Sequence, residues 1–426
     1  MSSVTGSGSR VGHGFGDRVV SGESAARERW LSIVGIGEDG VYGLSPIGRR
    51  LIETADYVFG GERHIALAGP LIKGEAIAWP SPFDLGDLLA KRGERVTVLA
   101  SGDPFHYGVG NTIVRSLPLS EMLVVPAPSA FSLAASRLGW SLAETTTLSL
   151  HGRSIDLVKP HLFEGERILA LTSNESAPWE IAALLSRIGF GRSRLTVLEA
   201  LGGRDETIRT ATAAGFDLDT INPLNVLAIE AHAGPGARIL ARAPGLPDEL
   251  FETDGQITKH EIRALALAAL SPRPGELLWD IGAGSGSIAI EWMLSDRRSR
   301  AAAIESNEER ADRILRNAAA FGVPELMIVQ GRAPEALAGL PTPNAVFIGG
   351  GSTEPGLIQS ARAALAPRGR LVVNAVTLES EALLLAQHAS LGGSLIRIQI
   401  DRARPLGGKT GWEPARPILQ WSWTKP

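Results

Sequence analysis

Residues 275–294 are GELLWDIGAGSGSIAIEWML, an apolar run followed by three alternate glycines and a second apolar run. The first run predicts a buried β-strand that ends near Asp280, and the second predicts a helix. Gly282, Gly284 and Gly286 form a G-x-G-x-G turn between them. Glycine allows a strand to turn abruptly into a helix and allows a ligand to lie against the backbone. This stretch therefore predicts a strand, turn and helix of an α/β sheet, and the turn is either structural or a small-molecule site.

Short β-branched runs alternate with helical stretches along the rest of the chain, which is typical of α/β sheets. Before residue 232 the predicted strands are LSIVGIG (31–37), YVFGG (57–61), RVTVLASGDP (95–104), RILALTSNE (167–175), RLTVLEAL (194–201) and LNVLAIEA (224–231). After the opening stretch they are RAAAIESN (300–307), LMIVQGRAPEAL (326–337), NAVFIGGG (344–351), GRLVVNAV (369–376) and GSLIRIQI (393–400). A helix with a threonine near its start is predicted from ITKHEIRALALAAL (257–270).

Composition predicts two α/β domains and a Gly/Pro-rich connection. A chain of 426 residues is long for one hydrophobic core. Gly and Pro are frequent in residues 231–249, where no apolar period persists. We predict a disordered tail over residues 1–29, a first domain over 30–232, a linker over 233–249 and a second domain over 250–426.

Charge and cysteine content narrow the classes of function. The formal net charge is −4, which provides no field that attracts a polyanion, so we expect small-molecule partners and no nucleic acid. The sequence contains no cysteine, which excludes disulfides and thiolate metal sites and fits a reducing cytoplasm. No apolar run approaches the roughly 20 residues of a membrane span, and the first 29 residues lack the apolar core of a secretory signal. We expect no membrane association and no metal site.

The stretch IVGIGEDG (33–40) has the G-x-G-x-x-G spacing of dinucleotide-binding proteins. That function requires a helix that begins at the third glycine. Here VYGL follows Gly40, and the helix signals begin only at Ser45 and Pro46, a good N-cap and first-turn pair. We therefore interpret the stretch as the first strand and following loop of a different α/β fold.

The C-terminal half resembles the class I S-adenosylmethionine-dependent methyltransferases. Glu305 ends the next predicted strand about 20 residues after the glycine turn, where a carboxylate can accept hydrogen bonds from both ribose hydroxyls. The alternative is a solvated acid at the start of the following helix. With GQITKHEIRALALAAL, GRAPEAL and VFIGGG, residues 250–426 resemble the decarboxylating precorrin methyltransferase module of cobalamin (vitamin B12) biosynthesis. Many members of that family carry Asp where this chain carries Glu305. The residues that this resemblance places at the cofactor are Thr258, Gly282, Ala283, Gly284, Ser285, Gly286, Glu305 and Ala333, and Gly349 and Gly350 are expected at the substrate.

The N-terminal half resembles the tetrapyrrole methylase family, a two-lobed class III methyltransferase fold. The similarity rests on VGIGEDG, VLASGDPFHYGVG (98–110), VVPAPSAFSLAASRLGW (124–140) and LSLHGR (148–153). Many members read P-G-x-S-S where this chain has P-A-P-S-A (126–130). The resemblance places Gly102, Asp103, Ser129 and Ala130 at the cofactor. It places His151 at the border of the active cleft, although a histidine there can simply end a strand.

Two unrelated S-adenosylmethionine folds on one chain, each similar to a tetrapyrrole family, imply a bifunctional enzyme with one cofactor site per domain. The resemblance implies methylation of a precorrin at C5 by the first domain, and at C15 with decarboxylation of the ring C acetate by the second. Relatives of both modules associate, so we expect a homo-oligomer. The macrocycle is an electron-rich nucleophile, so the protein must supply alignment rather than an acid–base pair. We name no catalytic residue.

A polycarboxylate substrate requires cations near the reacting carbon. The sequence offers Arg153 in the first domain and Arg402, Arg404 and Lys409 in the second, each of which can equally be a solvated surface charge.

Three alternatives stay open from the sequence. The chain can act on another tetrapyrrole intermediate, in which case the cofactor signature is the same and only product analysis distinguishes the two. It can be an NAD- or FAD-dependent oxidoreductase, as the glycine spacing alone suggests. It can also bind S-adenosylmethionine without catalysis, as a regulator.

Overall fold

The computed structural model describes residues 29–426. The described chain divides into two compact units, one made of residues 29–142 with Leu198–Thr207 and the other of Ala143–Val197 with Ile208–Pro426. Except for Arg29, the predicted tail lies outside the described residues. The predicted domain boundaries stay a prediction. None of the helices within residues 29–426 is long and apolar enough to cross a membrane.

The first unit is built on a five-stranded sheet of order β3-β2-β4-β1-β5, in which the strands are parallel. Its strands are β1 (Leu31–Ile36), β2 (Tyr57–Gly60), β3 (Glu75–Ala78), β4 (Val96–Ser101) and β5 (Met122–Val125). Its helices are α1 (Pro46–Thr54), α2 (Glu62–Ala68), α3 (Gly86–Ala90), α4 (Gly110–Ile113) and α5 (Ala130–Leu138). All six residues of β1 are buried, which agrees with a central parallel strand covered on both faces.

Helix α1 begins where the sequence predicts. The Ser45 side chain accepts a hydrogen bond from the Gly48 amide, and Pro46 occupies the first turn. Only a short 3₁₀ turn, Gly40–Tyr42, follows the G-x-G-x-x-G stretch. The helix that a dinucleotide site requires at Gly40 therefore does not form there.

A second five-stranded sheet has the order β6-β7-β10-β8-β9. Its strands are β6 (Thr146–Ser149), β7 (Arg167–Leu171), β8 (Arg194–Glu199), β9 (Thr207–Thr212) and β10 (Asn225–Glu230), with helix α6 (Ala177–Arg187) between β7 and β8. Strand β6 pairs with β7 in parallel, whereas β10 pairs with β7 antiparallel.

The largest sheet has seven strands in the order β13-β12-β11-β14-β15-β19-β16. Its strands are β11 (Leu277–Ile281), β12 (Arg300–Glu305), β13 (Met327–Gln330), β14 (Ala345–Ile348), β15 (Arg370–Ala375), β16 (Ser394–Ile398) and β19 (Ile418–Thr424). The helices are α7 (His260–Leu270), α8 (Ser287–Ser295), α9 (Glu308–Ala320), α10 (Leu357–Ala364) and α11 (Leu378–Leu391). The five parallel strands have the doubly wound order 3-2-1-4-5, and ligands bind such sheets at the carboxyl ends of the strands.

The last strand, β19, is not among the strands predicted from the sequence. It pairs antiparallel with both β15 and β16 and buries Trp421 completely. Another pair of strands, β17 (Asp401–Leu406) and β18 (Lys409–Pro414), forms a separate antiparallel hairpin. The alternating Trp421 and Trp423 are the sequence signal for β19, because strand residues alternate between the two faces of a sheet.

The predicted linker contributes to the core of the largest sheet. Leu240 and Leu246 are buried in the same apolar cluster as residues of α7 and α8. The Glu291 side chain of α8 accepts hydrogen bonds from the Gly245 and Leu246 amides at 2.6 and 2.9 Å. The Gly/Pro-rich composition of this segment therefore accompanies an ordered, packed conformation.

Candidate active site

The glycine turn between β11 and α8 requires its glycines. Gly282, Gly284 and Gly286 have φ values of 71°, 59° and 75°, in the left-handed region that side chains rarely adopt. A Cβ atom on Gly282 would lie 3.1 Å from the Gly350 carbonyl oxygen, and one on Gly286 would lie 2.8 Å from Cγ2 of Ile314. The turn thus brings β11 close to the loop after β14 and exposes backbone at the edge where ligands bind.

Glu305 is buried and hydrogen-bonded to this turn, and it is not solvated. Its side chain is buried, and Oε2 accepts a hydrogen bond from the Gly284 amide at 2.9 Å. Its Oε1 accepts one from the Asn307 amide at 3.0 Å. The alternative of a solvated helix-start acid is therefore wrong for this residue.

Residues from seven segments of the chain surround one cavity of about 730 Å³ at this edge. Such a volume lies within the range of small-molecule sites. Among the residues predicted at the cofactor or substrate, those that line it are Thr258, Gly282, Ala283, Gly284, Glu305, Ala333, Gly349 and Gly350. Ser285 and Gly286 lie in the turn but not in the lining, and Ser285 is buried. Arg404 and Lys409 lie on the exposed hairpin β17–β18, outside the lining.

Thr258 is held at the cavity by a buried arginine. Helix α7 begins at His260 with Lys259 as its N-cap, so Thr258 precedes the helix instead of capping it. Its carbonyl oxygen accepts a hydrogen bond from Nη1 of Arg263 at 2.5 Å. Arg263 is completely buried and also donates to Glu291 at 2.5 Å. This ion pair fixes the segment before α7 against α8.

Three cationic side chains that sequence reasoning missed line the same cavity: Lys259, Arg310 and Arg332. Arg310 donates to Asp254 at 2.8 Å, and Arg332 pairs with Glu354. Arg310 belongs to helix α9, whose many charged residues suggest a solvated helix face. The only sequence signal that Arg310 lines the cavity is that it follows Glu305 closely in the chain.

Asp280 is a second acid at the turn. It is completely buried, and its Oδ2 accepts a hydrogen bond from the Ala289 amide at 3.1 Å. Burial, with a smaller contribution from the Glu305 charge, raises the pKa of Asp280 to about 7. The sequence alone indicated no role for Asp280 beyond its place at the end of the predicted strand.

In the first unit, the end of β1 and the two loops that carry predicted cofactor residues meet closely. A Cβ atom on Gly35 would lie 2.0 Å from the Gly102 carbonyl oxygen and 2.6 Å from the Ala127 nitrogen. Gly102 has a φ of 51°, and a Cβ there would lie 2.7 Å from the Pro128 carbonyl oxygen. The Ala127 amide donates to the Gly102 carbonyl at 3.1 Å. The first glycine of the G-x-G-x-x-G stretch thus permits this close approach of backbones.

Asp103, Ser129 and Ala130 are at the same edge. The Asp103 Oδ1 atom accepts a hydrogen bond from the Phe105 amide at 2.8 Å. Ser129 is buried and caps α5, because its hydroxyl accepts from the Ser132 amide at 3.2 Å. Ala130 is the first residue of α5. The Asp103 and Ser129 side chains therefore shape their loops through hydrogen bonds to backbone amides.

A polar cluster that the sequence did not suggest lies at the carboxyl ends of β1, β2 and β4. His64 Nε2 is 2.7 Å from Ser101 Oγ and 3.0 Å from Arg63 Nη2, and Arg63 pairs with Glu38. Because a guanidinium only donates, Nε2 accepts and carries no proton. Burial, followed by the Arg63 charge, lowers the pKa of His64 to about 4, so the ring is neutral at pH 7.

His151 and Arg153 follow β6 in the second unit, and both are exposed. His151 Nδ1 is 3.2 Å from the Thr172 carbonyl oxygen. The Arg153 guanidinium donates to Glu325 at 2.7 Å. Arg402 likewise pairs with Glu261 at 2.6 Å. These arginines therefore already have acidic partners.

Comparison with known proteins matches both halves of the chain. The family described as Tetrapyrrole (Corrin/Porphyrin) Methylases matches residues 31–217, and the family described as Precorrin methyltransferase domain matches residues 249–425. A precorrin-6Y C(5,15)-methyltransferase (decarboxylating) from Sinorhizobium sp is 58% identical over 96% of this chain and 99% of its own length. One of the same name from Mycobacterium tuberculosis is 42% identical over 93% of this chain and 100% of its own.

A solved structure also matches the C-terminal half. It is the C-terminal domain of precorrin-6Y C5,15-methyltransferase from Rhodobacter capsulatus, which is 52% identical, covers 44% of this chain and 100% of its own, and gives a TM-score of 0.42.

Proposed function

Because this chain belongs to the precorrin-6Y C(5,15)-methyltransferase (decarboxylating) family, we propose that it methylates a precorrin at C5 and C15 and decarboxylates the ring C acetate. The observation that carries the proposal is the end-to-end match of one chain that contains both methyltransferase modules. A chain with only one module would support only one of the two methylations. The oxidoreductase alternative lacks the helix at Gly40 that it needs.

We propose one S-adenosylmethionine site in each module. When bound, S-adenosylmethionine supplies an activated methyl group. In the C-terminal cavity, Glu305 would bind the ribose hydroxyls, and the glycine backbone at residues 282–284 would lie against the methionine part. The fit is supported by the cradle that the glycines leave open and by the buried acid beside it. Thr258 and Ala333 complete the proposed contact surface, with Ser285 and Gly286 shaping the turn behind it.

In the N-terminal module, Gly102, Asp103, Ser129 and Ala130 would form the other cofactor site. Support comes from the close approach of Gly35 in β1 to the loops after β4 and β5, at the carboxyl edge of a parallel sheet. The neutral His64 and its partner Ser101 lie at the same edge. The chain's own contribution to methyl transfer there is alignment and exclusion of water.

The substrate carboxylates require cations, and we propose that Lys259 and Arg332 bind them at the C-terminal cavity. All three cations have acidic partners, Lys259 in Asp248 at 3.5 Å, Arg332 in Glu354 and Arg310 in Asp254. Lys259 and Arg332 are exposed at the lining, whereas Arg310 is partly buried. Gly349 and Gly350, which line the cavity, would contact the macrocycle. Arg404, Lys409, His151 and Arg153 remain proposed substrate residues, with Arg153 less available because of Glu325.

Three further proposals follow from the function. The cytoplasm is the proposed location, supported by the cysteine-free composition. Assembly into a homo-oligomer is supported by the prevalence of symmetric oligomers among enzymes. Partners other than the small-molecule precorrin, in particular nucleic acid, are not expected from the net charge of −4.

Mass spectrometry of the product tests the proposed function. The full chain is incubated with S-adenosylmethionine and the precorrin substrate, and we expect a product with two additional methyl groups and one carbon dioxide fewer. Gly102→Val should remove only the C5 methyl group, and Gly282→Val should remove the C15 methyl group together with decarboxylation. A product that gains no methyl group, or that is formed only from another tetrapyrrole, would refute the proposal.

A further inference from the structure

One wall of the C-terminal cavity contains a buried amide with a free donor. Asn374 is the penultimate residue of β15, is 9% exposed and lines the cavity. It lies directly opposite Gln420 of β19, so the two side chains share one face of the sheet. Gln420 is itself 2% exposed, and its Nε2 donates a hydrogen bond to Asn374 Oδ1 at 3.0 Å. This contact occupies the oxygen atom of the Asn374 side-chain amide.

The nitrogen atom of the Asn374 side-chain amide remains available as a hydrogen-bond donor. Within residues 29–426, no side chain or backbone oxygen accepts a hydrogen bond from it. The nitrogen is accessible at the cavity surface rather than sealed in the core. Since the residue lines the cavity, the natural partner is an oxygen atom of a ligand bound there.

The surroundings of this amide are apolar. Ile418 precedes Gln420 by two residues in β19 and therefore lies on the same face, whereas Val376 follows the end of β15. Both residues line the cavity. The cations of the cavity come from other segments, namely the start of α7, helix α9 and the loop after β13. Asn374 therefore offers one neutral hydrogen bond beside two apolar side chains of the cavity wall.

We propose that Asn374 binds the acetate carboxylate that is lost as carbon dioxide, an inference that rests on the proposed function. A paired cation would stabilise the ionised carboxylate and oppose loss of its charge. A single neutral donor among apolar side chains orients the carboxylate but solvates it poorly. Poor solvation of the carboxylate favours the transition state for decarboxylation, in which the negative charge moves into the macrocycle. Asn374 is thus a substrate-positioning group specific to decarboxylation.

The bond changes balance with water as the only co-reactant. The bond between the acetate methylene carbon and the carboxyl carbon breaks, and the carboxyl group leaves as carbon dioxide. The electron pair stays on the methylene carbon and is delocalised into the conjugated macrocycle. A proton from water then converts this carbon into a methyl group.

Three substitutions in the full chain test the proposal. Asn374→Asp has the same shape but repels a carboxylate, Asn374→Leu has no donor, and Asn374→Ser keeps a neutral donor. We expect decarboxylation to fall roughly 10- to 100-fold in the Asp and Leu variants, and to be partly retained in the Ser variant. The measured quantity is the ratio of decarboxylated to intact product carrying the C15 methyl group.

Binding of S-adenosylhomocysteine and the melting temperature are measured for each variant to separate chemistry from folding. Gln359→Glu, on the exposed face of α10 and outside the cavity lining, is the control for a change from amide to carboxylate. Equal decarboxylation by the Leu and Ser variants would overturn the proposal, as would parallel losses of C15 methylation and decarboxylation. If the wild-type chain produces neither change in a precorrin, the proposed function itself fails, which is a different result.

Discussion

The Gly284 amide donates a hydrogen bond to the Glu305 carboxylate at 2.9 Å, which joins the glycine turn after β11 to the acid that ends β12. The two residues are 21 positions apart in the chain. Because β11 and β12 are parallel neighbours, their carboxyl ends meet at one edge, where the cavity lies. A change at either residue therefore alters both the turn and the proposed ribose contact.

Substitution of Glu305 by Gln should weaken binding of S-adenosylhomocysteine at the C-terminal site. The amide can replace only part of the acceptor capacity of a carboxylate that holds two backbone amides. We expect a loss of about 10- to 100-fold in affinity, measured by calorimetry. Glu309→Gln, an exposed residue in the first turn of α9, serves as the control. Unchanged affinity in the Glu305 variant would contradict the proposed ribose contact.

Substitution of Gly35 by Ala should destabilise the first unit by about 1–3 kcal/mol. The added Cβ would lie 2.0 Å from the Gly102 carbonyl oxygen, and this backbone atom cannot move without shifting the loop. C5 methylation should be lost, while C15 methylation continues. Gly69→Ala is a matched control, because a Cβ there has no neighbour within 4 Å. Equal melting temperatures for the two variants would show that the close approach is not required.

The pH dependence of stability should change in Asp280→Asn. Burial raises the pKa of Asp280 to about 7, so the folded state binds more protons than the unfolded state between the ordinary carboxyl value and pH 7. Its contribution to stability is present at low pH and is lost as the pH rises through about 7. The free energy of unfolding of the variant, relative to wild type, should therefore increase between about pH 4 and pH 7 and then level off.

Urea unfolding followed by tryptophan fluorescence at several pH values measures this difference, since Trp279 and Trp292 are buried in the same unit. Asp217→Asn, an exposed aspartate of the second unit, is the control. A variant that loses stability relative to wild type as the pH rises would contradict the raised pKa.

Substitution of Arg332 by Ala should raise KM for the precorrin about 5- to 10-fold in C15 methylation and leave the affinity for S-adenosylhomocysteine unchanged. The reason is loss of one charge-assisted hydrogen bond at a partly solvated site. Arg298→Ala, which removes an exposed arginine paired with Asp296, should leave both constants as in wild type. The assignment would be wrong if KM were the same in both variants.

The ion pair of Arg153 with Glu325 gives a related prediction. Both side chains are about half exposed, so its removal by Glu325→Gln should change stability by less than about 1 kcal/mol. If Arg153 binds substrate, freeing its guanidinium should lower KM in C5 methylation, and Arg153→Ala should raise it. Equal KM values in wild type and both variants would assign Arg153 a purely structural surface role.

Local sequence signals were sufficient wherever neighbouring residues decide the conformation. Ser45 and Pro46 indicated the start of α1, and the spacing of Gly282, Gly284 and Gly286 indicated the turn. The threonine before α7 was less informative, because the N-cap is Lys259 and no side chain caps that helix. The strand β19 was missed, because its partners β15 and β16 lie far from it in the sequence and on either side of it in the sheet.

The cavity residues that the sequence did not indicate share one property, which is that their role depends on distant segments. Arg310 and Arg332 look like ordinary charges on a helix and a loop, and Asn374 looks like one polar residue in an apolar strand. His64 and Ser101 come from different strand ends and meet only in the folded first unit. Conversely, Arg404 and Lys409 looked suitable from composition, but they lie on a hairpin outside the cavity lining.

The sequence by itself determined the two α/β folds and the turn that carries the glycines, because these depend on hydrophobic periodicity and on backbone conformations that only glycine adopts readily. The family followed from the resemblance of the sequence motifs to those of known methyltransferases. Only the tertiary structure decided which polar groups face the cavity. The order of strands places Glu305 against Gly284 and Gln420 against Asn374, and this pairing leaves the Asn374 amide nitrogen available. Such a free donor depends on contacts between strands far apart in the chain, which no local pattern encodes.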